Sequence, residues 1–318
     1  PAQARPPVVP TTAVPGASKV IFLGSEDGHA YAANAETGTA LWQSPELGNI
    51  LFASPSGMFT TFGGSWDLLF IGSRDATADN VMYALDPVDG TVEYQFDNGS
   101  GANGMGIISS AATMDYANDR IYFASRARAG GSSDTLWCLS FNGTGFTKEW
   151  SVALGDIDGA PVLYQGRLYV GTNNGTVYAV NPDTGATHWS YDASGDGAVK
   201  GFVTPQAAPS LPRRLYFSTT TRLWSITDND GSASLGWSVT AVPGPSMPLA
   251  PLGAGVLYAG SSDGRLYQLD AAGGTVQTWV ELGNGTATIG SPAFDVINGM
   301  AYVGSESGAV YGVALPLQ

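Results

Sequence analysis

One cysteine, three lysines and two histidines in 318 residues remove several kinds of chemistry at the outset. With Cys138 alone no internal disulfide can form, which fits the cytosol and an exporting compartment equally well. Only Lys19, Lys148 and Lys200 are present against a net charge of −14, so no basic stripe exists to meet a phosphate backbone or an anionic lipid surface. Nucleic acid and membrane surfaces therefore drop out as expected partners. His29 follows the Asp27-Gly28 turn and His188 directly precedes Trp189, far apart in the chain. Both read as surface or sheet-edge residues, and neither a two-histidine metal site nor a Ser-His-Asp triad is indicated. No apolar run approaches the roughly 18 residues needed to span a bilayer, so direct membrane insertion is not expected.

What is abundant is glycine, 43 residues of it, in a composition that is 43% apolar and only 13% charged. That balance suits many short strands joined by tight turns. Self-similarity supports it. The clearest copies are VIFLGSEDGHAYAANAETGTALW from Val20, LYVGTNNGTVYAVNPDTGATHW from Leu168, LYAGSSDGRLYQLDAAGG from Leu257 and AYVGSESGAVYGV from Ala301, with weaker ones from Leu69, Ile121 and Leu215. A first aromatic column runs through Phe22, Phe70, Tyr122, Tyr169, Tyr216, Tyr258 and Tyr302, spaced by 42 to 52 residues. A period in the forties is that of a four-stranded propeller blade.

The columns map onto strands. The first aromatic marks strand B. The second column, Tyr31, Tyr83, Trp137, Tyr178, Trp224, Tyr267 and Tyr311, marks strand C after a hairpin turn such as Asn173-Asn174-Gly175. The third, Trp42, Tyr94, Trp150, Trp189 and Trp237, marks the outermost strand D, with Trp279 one residue out of register and no counterpart after Tyr311. Strand A is expected in segments of small residues, all but the second with Pro, at 53–55, 109–112, 159–161, 207–209, 249–251 and 291–293, with 9–14 as the equivalent for the first blade. The aromatics are core in this reading, each stabilising by about 1.5–3 kcal/mol when fully buried. The prediction is an all-β, seven-bladed propeller of four-stranded antiparallel blades over residues 19–318. Residues 1–18 form a Pro-rich segment that closes the ring by pairing near the seventh blade, whose own strand D is missing. The opening PAQARPPVVPTTAVPG reads as a linker and favours an exported protein; an arbitrary cut in a longer chain would look the same.

The run YVGTNNGTVYAVNPDTGATHW from Tyr169 to Trp189 resembles the PQQ-like, quinoprotein-type propeller repeat, and the resemblance extends over about residues 19–318. It implies a fold more than a function, because the family includes quinoprotein alcohol dehydrogenases, BamB-like outer-membrane assembly scaffolds and exported binding modules. A quinoprotein dehydrogenase would imply eight blades, a vicinal Cys-Cys pair, a Ca²⁺ site of Glu, Asn and Asp, and a catalytic Asp. Seven copies and a lone Cys138, read as a buried inert thiol, depart from that pattern.

No catalytic, cofactor-binding or metal-ligating residue stands out. The acidic turns at Asp156-Ile-Asp158, Asp228-Asn-Asp230 and Asp192 to Asp196 lack a full Ca²⁺ loop pattern and read as turn chemistry. The Asn-Gly-Ser/Thr triplets at Asn98, Asn142, Asn174 and Asn284 match a glycosylation sequon and equally read as turns. Departures from the repeat are more telling, since propeller insertions land in loops. The B–C connections of blades 2 and 3 are long, covering Arg74–Asn80 and Arg126–Asp134, and long D–A connections are expected at Asp97–Ile107 and Asp192–Phe202. Strand alternation puts all four on one face. Arg74, Arg126, Arg128, Asp156, Asp158, Asp192, Asp196 and Lys200 are the candidate partner-binding residues. The expected function is that of a non-catalytic binding or scaffold module for a protein or glycan, located in the periplasm, at the cell surface or outside the cell, alone or within a larger assembly. The alternatives are a PQQ- and Ca²⁺-dependent oxidoreductase, or sugar or small-molecule binding in the central channel.

Overall fold

The computed structural model describes residues 8–10, 14–48, 54–206, 212–250 and 255–318. Blade 1 comprises β1 (Val8–Pro10), β2 (Lys19–Gly24), β3 (Ala30–Asn34) and β4 (Ala40–Gln43). Blade 2 has β5 (Ser56–Met58), β6 (Leu68–Gly72), β7 (Met82–Leu85) and β8 (Val92–Phe96); blade 3 has β9 (Thr113–Asp115), β10 (Arg120–Ala124), β11 (Leu136–Phe141) and β12 (Phe146–Val152). Blade 4 has β13 (Val162–Tyr164), β14 (Arg167–Gly171), β15 (Thr176–Val180) and β16 (Thr187–Asp192); blade 5 has β17 (Lys200–Pro205), β18 (Arg213–Ser218), β19 (Leu223–Asp228) and β20 (Ala233–Val239). Blade 6 has β21 (Val256–Gly260), β22 (Arg265–Asp270) and β23 (Val276–Glu281), and blade 7 has β24 (Ala293–Asp295), β25 (Met300–Gly304) and β26 (Val310–Ala314). The fold is therefore an all-β, seven-bladed propeller, with five four-stranded and two three-stranded antiparallel sheets.

Two compact units divide the chain. The first holds residues 1–163 with the turn 182–185, and the second holds 164–181 with 186–318.

The B and C strands fall where the aromatic columns place them. Strand A differs. In blades 2, 3 and 4 it follows the small-residue segment, starting at Ser56, Thr113 and Val162. In blades 2 and 4 Pro55 and Pro161 cannot donate to a ladder and lead the chain into the strand instead. In blade 5 strand A precedes the expected segment, whose residues 207–209 lie outside the described ones, and in blade 6 the A position holds a single bridge, Leu249 to Tyr258. Val8–Pro10 pairs with β2 as strand A of blade 1. The expected pairing of the opening segment near blade 7 falls on residues 1–7, outside the described residues.

Each sheet has two different faces. On one, the strand C aromatic stacks on strand B: Trp137 lies on Phe123 with an interplanar angle of 9°, and Trp224 on Phe217 with 3°. On the other, the strand D aromatic sits opposite a small strand C residue and against the strand B aromatic. Trp42 faces Ala32, Tyr94 faces Ala84, Trp150 faces Cys138, Trp189 faces Ala179 and Trp237 faces Ser225. Ring centroids are 5.8 Å apart for Phe22–Trp42, 5.9 Å for Tyr122–Trp150, 6.2 Å for Tyr169–Trp189 and 6.0 Å for Tyr216–Trp237. A β-bulge follows at the same place in all five sheets, and in blade 6 as well. His188 is the bulge residue in blade 4, and burial holds its imidazole below the usual histidine range.

The same register explains the misplaced Trp279. Gln268 occupies the strand C position that is small elsewhere, faces Thr278, and bonds Tyr258 Oη through Oε1 at 2.9 Å. Trp279 pairs with Tyr267 instead and lies under the Arg265 guanidinium at 4.1 Å. Blade 7 departs further: Tyr302 is 44% exposed, whereas its equivalents in the other six blades are at most 2% exposed.

Strand D indoles also reach the next C–D turn. Trp42 Nε1 donates to Pro87 O at 2.9 Å, Trp150 Nε1 to Pro182 O at 3.0 Å and Trp237 Nε1 to Ala271 O at 3.1 Å. The turn glycine beneath each ring has a left-handed φ, 77° at Gly90, 72° at Gly185 and 73° at Gly274, and a Cβ there would lie 2.5–2.8 Å from the indole. These glycines meet both conditions, conformation and close approach.

Cys138 is fully buried under Trp150, and burial pushes its thiol up to about 12. Thiolate, the reactive form, is thus withheld in the fold. A thiol-specific disulfide reagent at pH 8 should leave the native protein unlabelled for hours and label one equivalent on unfolding in denaturant; rapid native labelling would contradict the burial.

Candidate functional site

In the first unit, the structure interlaces three of the four predicted loop segments. Asn80, fully buried, anchors the blade 2 B–C loop: its Oδ1 accepts from Asp75 N at 2.6 Å and Ser73 Oγ at 3.1 Å, and its own N–H bonds Met105 O at 3.0 Å in the following D–A connection. The blade 3 B–C loop crosses the same connection, with Arg126 N on Ile107 O and Ser132 N on Gly104 O, both at 2.9 Å.

Charged side chains fasten these crossings. Arg126 grips Asp158 with two bonds, Nε to Oδ1 at 2.8 Å and a terminal nitrogen to Oδ2 at 2.6 Å. Asp156 accepts from Ala127 N at 2.8 Å, and Arg128 pairs with the carboxylate of Asp79, which sequence reasoning did not single out. Arg74 enters the blade 2 loop half-buried. Bidentate guanidinium–carboxylate pairs give direction as well as attraction, so the loops carry a fixed shape.

The remaining candidates lie in the second unit. Asp192 caps Ser194 N at 2.8 Å, and that hydrogen bonding holds its carboxyl below the usual range. Asp196 accepts from Arg222 Nε at 3.0 Å. Lys200 donates to Pro245 O at 3.3 Å, and burial lowers its ammonium from the usual lysine range. The connection expected to be long at Asp192–Phe202 is short, because β16 runs to Asp192 and β17 already begins at Lys200. Strand A of blade 5 has taken up the residues read as loop.

Two features escaped sequence reasoning. The first is a cleft of about 470 Å³ in the first unit, lined by Pro55, Phe59, Phe62, Ala112, Met114 and Tyr116 among others. Phe62 is 50% exposed and Trp66 37%, both in the nine-residue A–B connection Phe59–Asp67. Two aromatics outside the columns, in a long connection, were the available signal. Asp67 shapes this loop by accepting from Thr60 N at 2.8 Å.

The second is a buried charge cluster in the second unit. Asp228, read as a turn residue, is fully buried, and accepts from Tyr169 Oη at 2.6 Å, Trp189 Nε1 at 2.8 Å and Asp230 N at 2.9 Å. Arg213, 2% exposed, donates to Tyr169 Oη at 2.7 Å, Tyr164 O at 3.2 Å and Gln165 Oε1 at 3.0 Å. Arg167 Nε stands 3.9 Å from Asp228 Oδ2. The Tyr169, Trp189 and Arg213 donors meet within the cluster, which makes it a structural joint.

The vicinal Cys-Cys pair of a quinoprotein site has no counterpart, since Cys138 is the one cysteine. Among the described residues, no three His, Cys, Asp or Glu side chains gather around one point, and Cys138 lies in a strand under an indole. The residues do not fit a quinone cofactor, and no chemistry is derived through it. Among the described residues, no helix is long and apolar enough to cross a membrane.

Comparison with known proteins adds the lineage. No curated protein matches the sequence. Among solved structures, the chain is similar to the computationally designed Ika8 protein, with 13% identity over 93% of this chain and 80% of that one and a TM-score of 0.68. It is similar to BamB from Moraxella catarrhalis, with 17% identity, 92% and 81% coverage and a TM-score of 0.64. A third is quinohemoprotein alcohol dehydrogenase from Comamonas testosteroni, with 14% identity, 89% of this chain, 61% of that one and a TM-score of 0.68. At such identities these likenesses speak for the fold alone. The family model described as outer membrane protein assembly factor BamB matches residues 7–236, most of the repeat array traced above, and the chain belongs to that family of PQQ-like propellers.

Proposed function

We propose that this propeller is a non-catalytic, exported binding or scaffold module, and that a protein partner docks on the loop face bearing Arg74, Arg126, Arg128, Asp156 and Asp158. Asp192, Asp196 and Lys200 are the corresponding candidates in the second unit. The observation that carries the reading is the pinning of the blade 2 and blade 3 loops by Arg126–Asp158 and Arg128–Asp79. Loops already held in one shape lose little entropy on binding, which is where preorganised interfaces gain affinity. Membership of a family described by an outer-membrane assembly factor supports both a protein partner and export. A glycan is the second reading, supported by the cleft lined by Phe59, Phe62 and Tyr116.

The test is site-specific photocrosslinking in the envelope of the native host. A photoreactive residue at Ala129, on the exposed loop, should yield one discrete protein adduct that R126E together with R128E abolishes, while the same residue at Glu93, on β8, yields none. Equal adducts at both positions would remove the loop face from consideration. Micromolar, Ca²⁺-dependent binding of PQQ by calorimetry would favour the oxidoreductase instead.

A further inference from the structure

The A–B connection of blade 2 is an insertion with a fixed shape and an apolar tip. Nine residues, Phe59–Asp67, join β5 to β6, where two to four join the same strands of blades 3, 4 and 7. Hydrogen bonds hold it at both ends. Asp67 accepts from Thr60 N at 2.8 Å and from the Thr60 hydroxyl at 3.1 Å, Gly64 N donates to Phe59 O at 3.0 Å, and Ser65 Oγ donates to Asp119 Oδ2 at 3.0 Å in the A–B turn of blade 3. Trp66 packs on Gly143, where a Cβ would run into its ring. Phe59 is anchored in the core at 1% exposure, whereas Phe62, edge-on to it at 6.2 Å, stays 50% exposed beside the 470 Å³ cleft. Blade 3 supplies the opposite lining through Ala111, Met114 and Tyr116, with Tyr116 Oη held on Gly57 O at 3.1 Å. A loop pinned with a phenyl ring toward water leaves apolar surface that a partner would bury.

We propose that this cleft receives an aromatic side chain of a protein partner, presented by a segment with lysine or arginine on either side of it. The described lining has no charged side chain, so the inserted group is apolar, and Phe62 and Tyr116 offer ring faces and edges to an aromatic. Charge selects the flanks. In the two segments that form the cleft, 54–67 and 111–120, the charged residues are Asp67, Asp115, Asp119 and Arg120. Arg120 is bonded to Asp183 at 2.8 Å, and Asp115 is 9% exposed. The charges a partner meets are therefore the half-buried Asp67 and Asp119 carboxylates, which are bonded to Thr60 and Ser65 on either side of Phe62. The inference rests on the binding-module reading only in taking a protein as partner, and it places the contact elsewhere. The insertion enters β6 at Leu68 and the Arg74–Asn80 loop follows its other end at Gly72, so the strand keeps the two about 17 Å apart. With docking sites at both ends of one blade, the propeller can hold two partners at once, as a scaffold does.

The probe is a fluorescently labelled peptide, Lys-Lys-Ser-Trp-Ser-Lys-Lys. Anisotropy should show saturable binding that weakens at least about tenfold when the peptide Trp becomes Ala, and likewise for Phe62→Ala, which removes one wall, and Ala111→Phe, which fills the cleft. Asp119→Asn keeps an acceptor for Ser65 and removes the charge; it should weaken this peptide about two- to fivefold and leave a control with serines in place of the lysines unchanged. Circular dichroism checks that each variant folds. Bound peptide should slow amide exchange within Phe59–Gly64, and R126E together with R128E should leave its affinity as it was. Binding that ignores the peptide Trp and the cleft variants, protection confined to other segments, or no binding at all would overturn the proposal. So would displacement of the peptide by maltotriose, which would give the cleft to a glycan, or a dimer of the protein that Phe62→Ala dissolves, since the occupant would then be a second copy. None of these outcomes touches the Ala129 crosslink, so the two readings fail separately.

Discussion

Asp228→Ala should destabilise the second unit by about 3–5 kcal/mol, measured by denaturant titration, because it removes one member of a buried charged cluster and strands the others. Tyr169 Oη and Trp189 Nε1 lose their acceptor, and Arg213, 2% exposed, loses the carboxylate reached through Tyr169. Asp228→Asn keeps the volume and one acceptor oxygen, but sets an amide against Tyr169 and removes the charge. It should fall between wild type and Ala. Trp189→Ala alone should cost about 3–5 kcal/mol as a large-to-small core change. Since Trp189 bonds Asp228 directly, the double variant should show a coupling of about 0.5–3 kcal/mol. Strict additivity would mean that the bond contributes nothing. A loss below about 1 kcal/mol for Asp228→Ala would mean that the cluster is solvated.

Alkali reads the same cluster from another side. Burial first, and the bond to Asp228 second, push the Tyr169 phenol above its ordinary range. A phenol whose folded pKa is raised contributes stability present below about pH 10 and lost as pH rises through the folded value.

The B and C strands could be read because each carries an aromatic at a fixed phase beside a turn that only a few residue types make. The A strands were displaced because small residues and proline mark the approach to a strand as readily as the strand itself. Loop lengths in blades 2 and 3 were likewise legible. Their fastenings were not, because Arg128 and Asp79, or Arg126 and Asp158, meet only when neighbouring blades stack. Asp228 was hidden by its own normality. It holds the turn through Asp230 N as Asp86 does through Val88 N and Asp270 through Gly273 N, so its composition announces a turn and nothing more. Its second role needs Arg213, its cross-strand partner, and Trp189 from the preceding blade.

Trp137→Ala should cost about 3–5 kcal/mol in the first unit, and its effect should extend to the loop face. The side chain is fully buried, stacked on Phe123 at 6.1 Å with Phe96 edge-on at 6.3 Å, and its Nε1 donates to Ser125 Oγ at 2.9 Å. Ser125 begins the blade 3 B–C connection, and its carbonyl accepts from Ile157 N at 3.2 Å, beside the Asp156 and Asp158 carboxylates that hold the loop. Hydrogen exchange over Arg126–Asp134 should therefore quicken in the alanine variant. Trp137→Phe separates the causes: it keeps an aromatic on Phe123 but removes the indole N–H, leaving Ser125 Oγ without that donor at a cost of about 1–3 kcal/mol. If the loop quickens in both variants, the hydrogen bond anchors it. If it quickens only with alanine, packing beneath the loop sets its shape, and the Arg126–Asp158 and Arg128–Asp79 pairs depend on the core for their geometry.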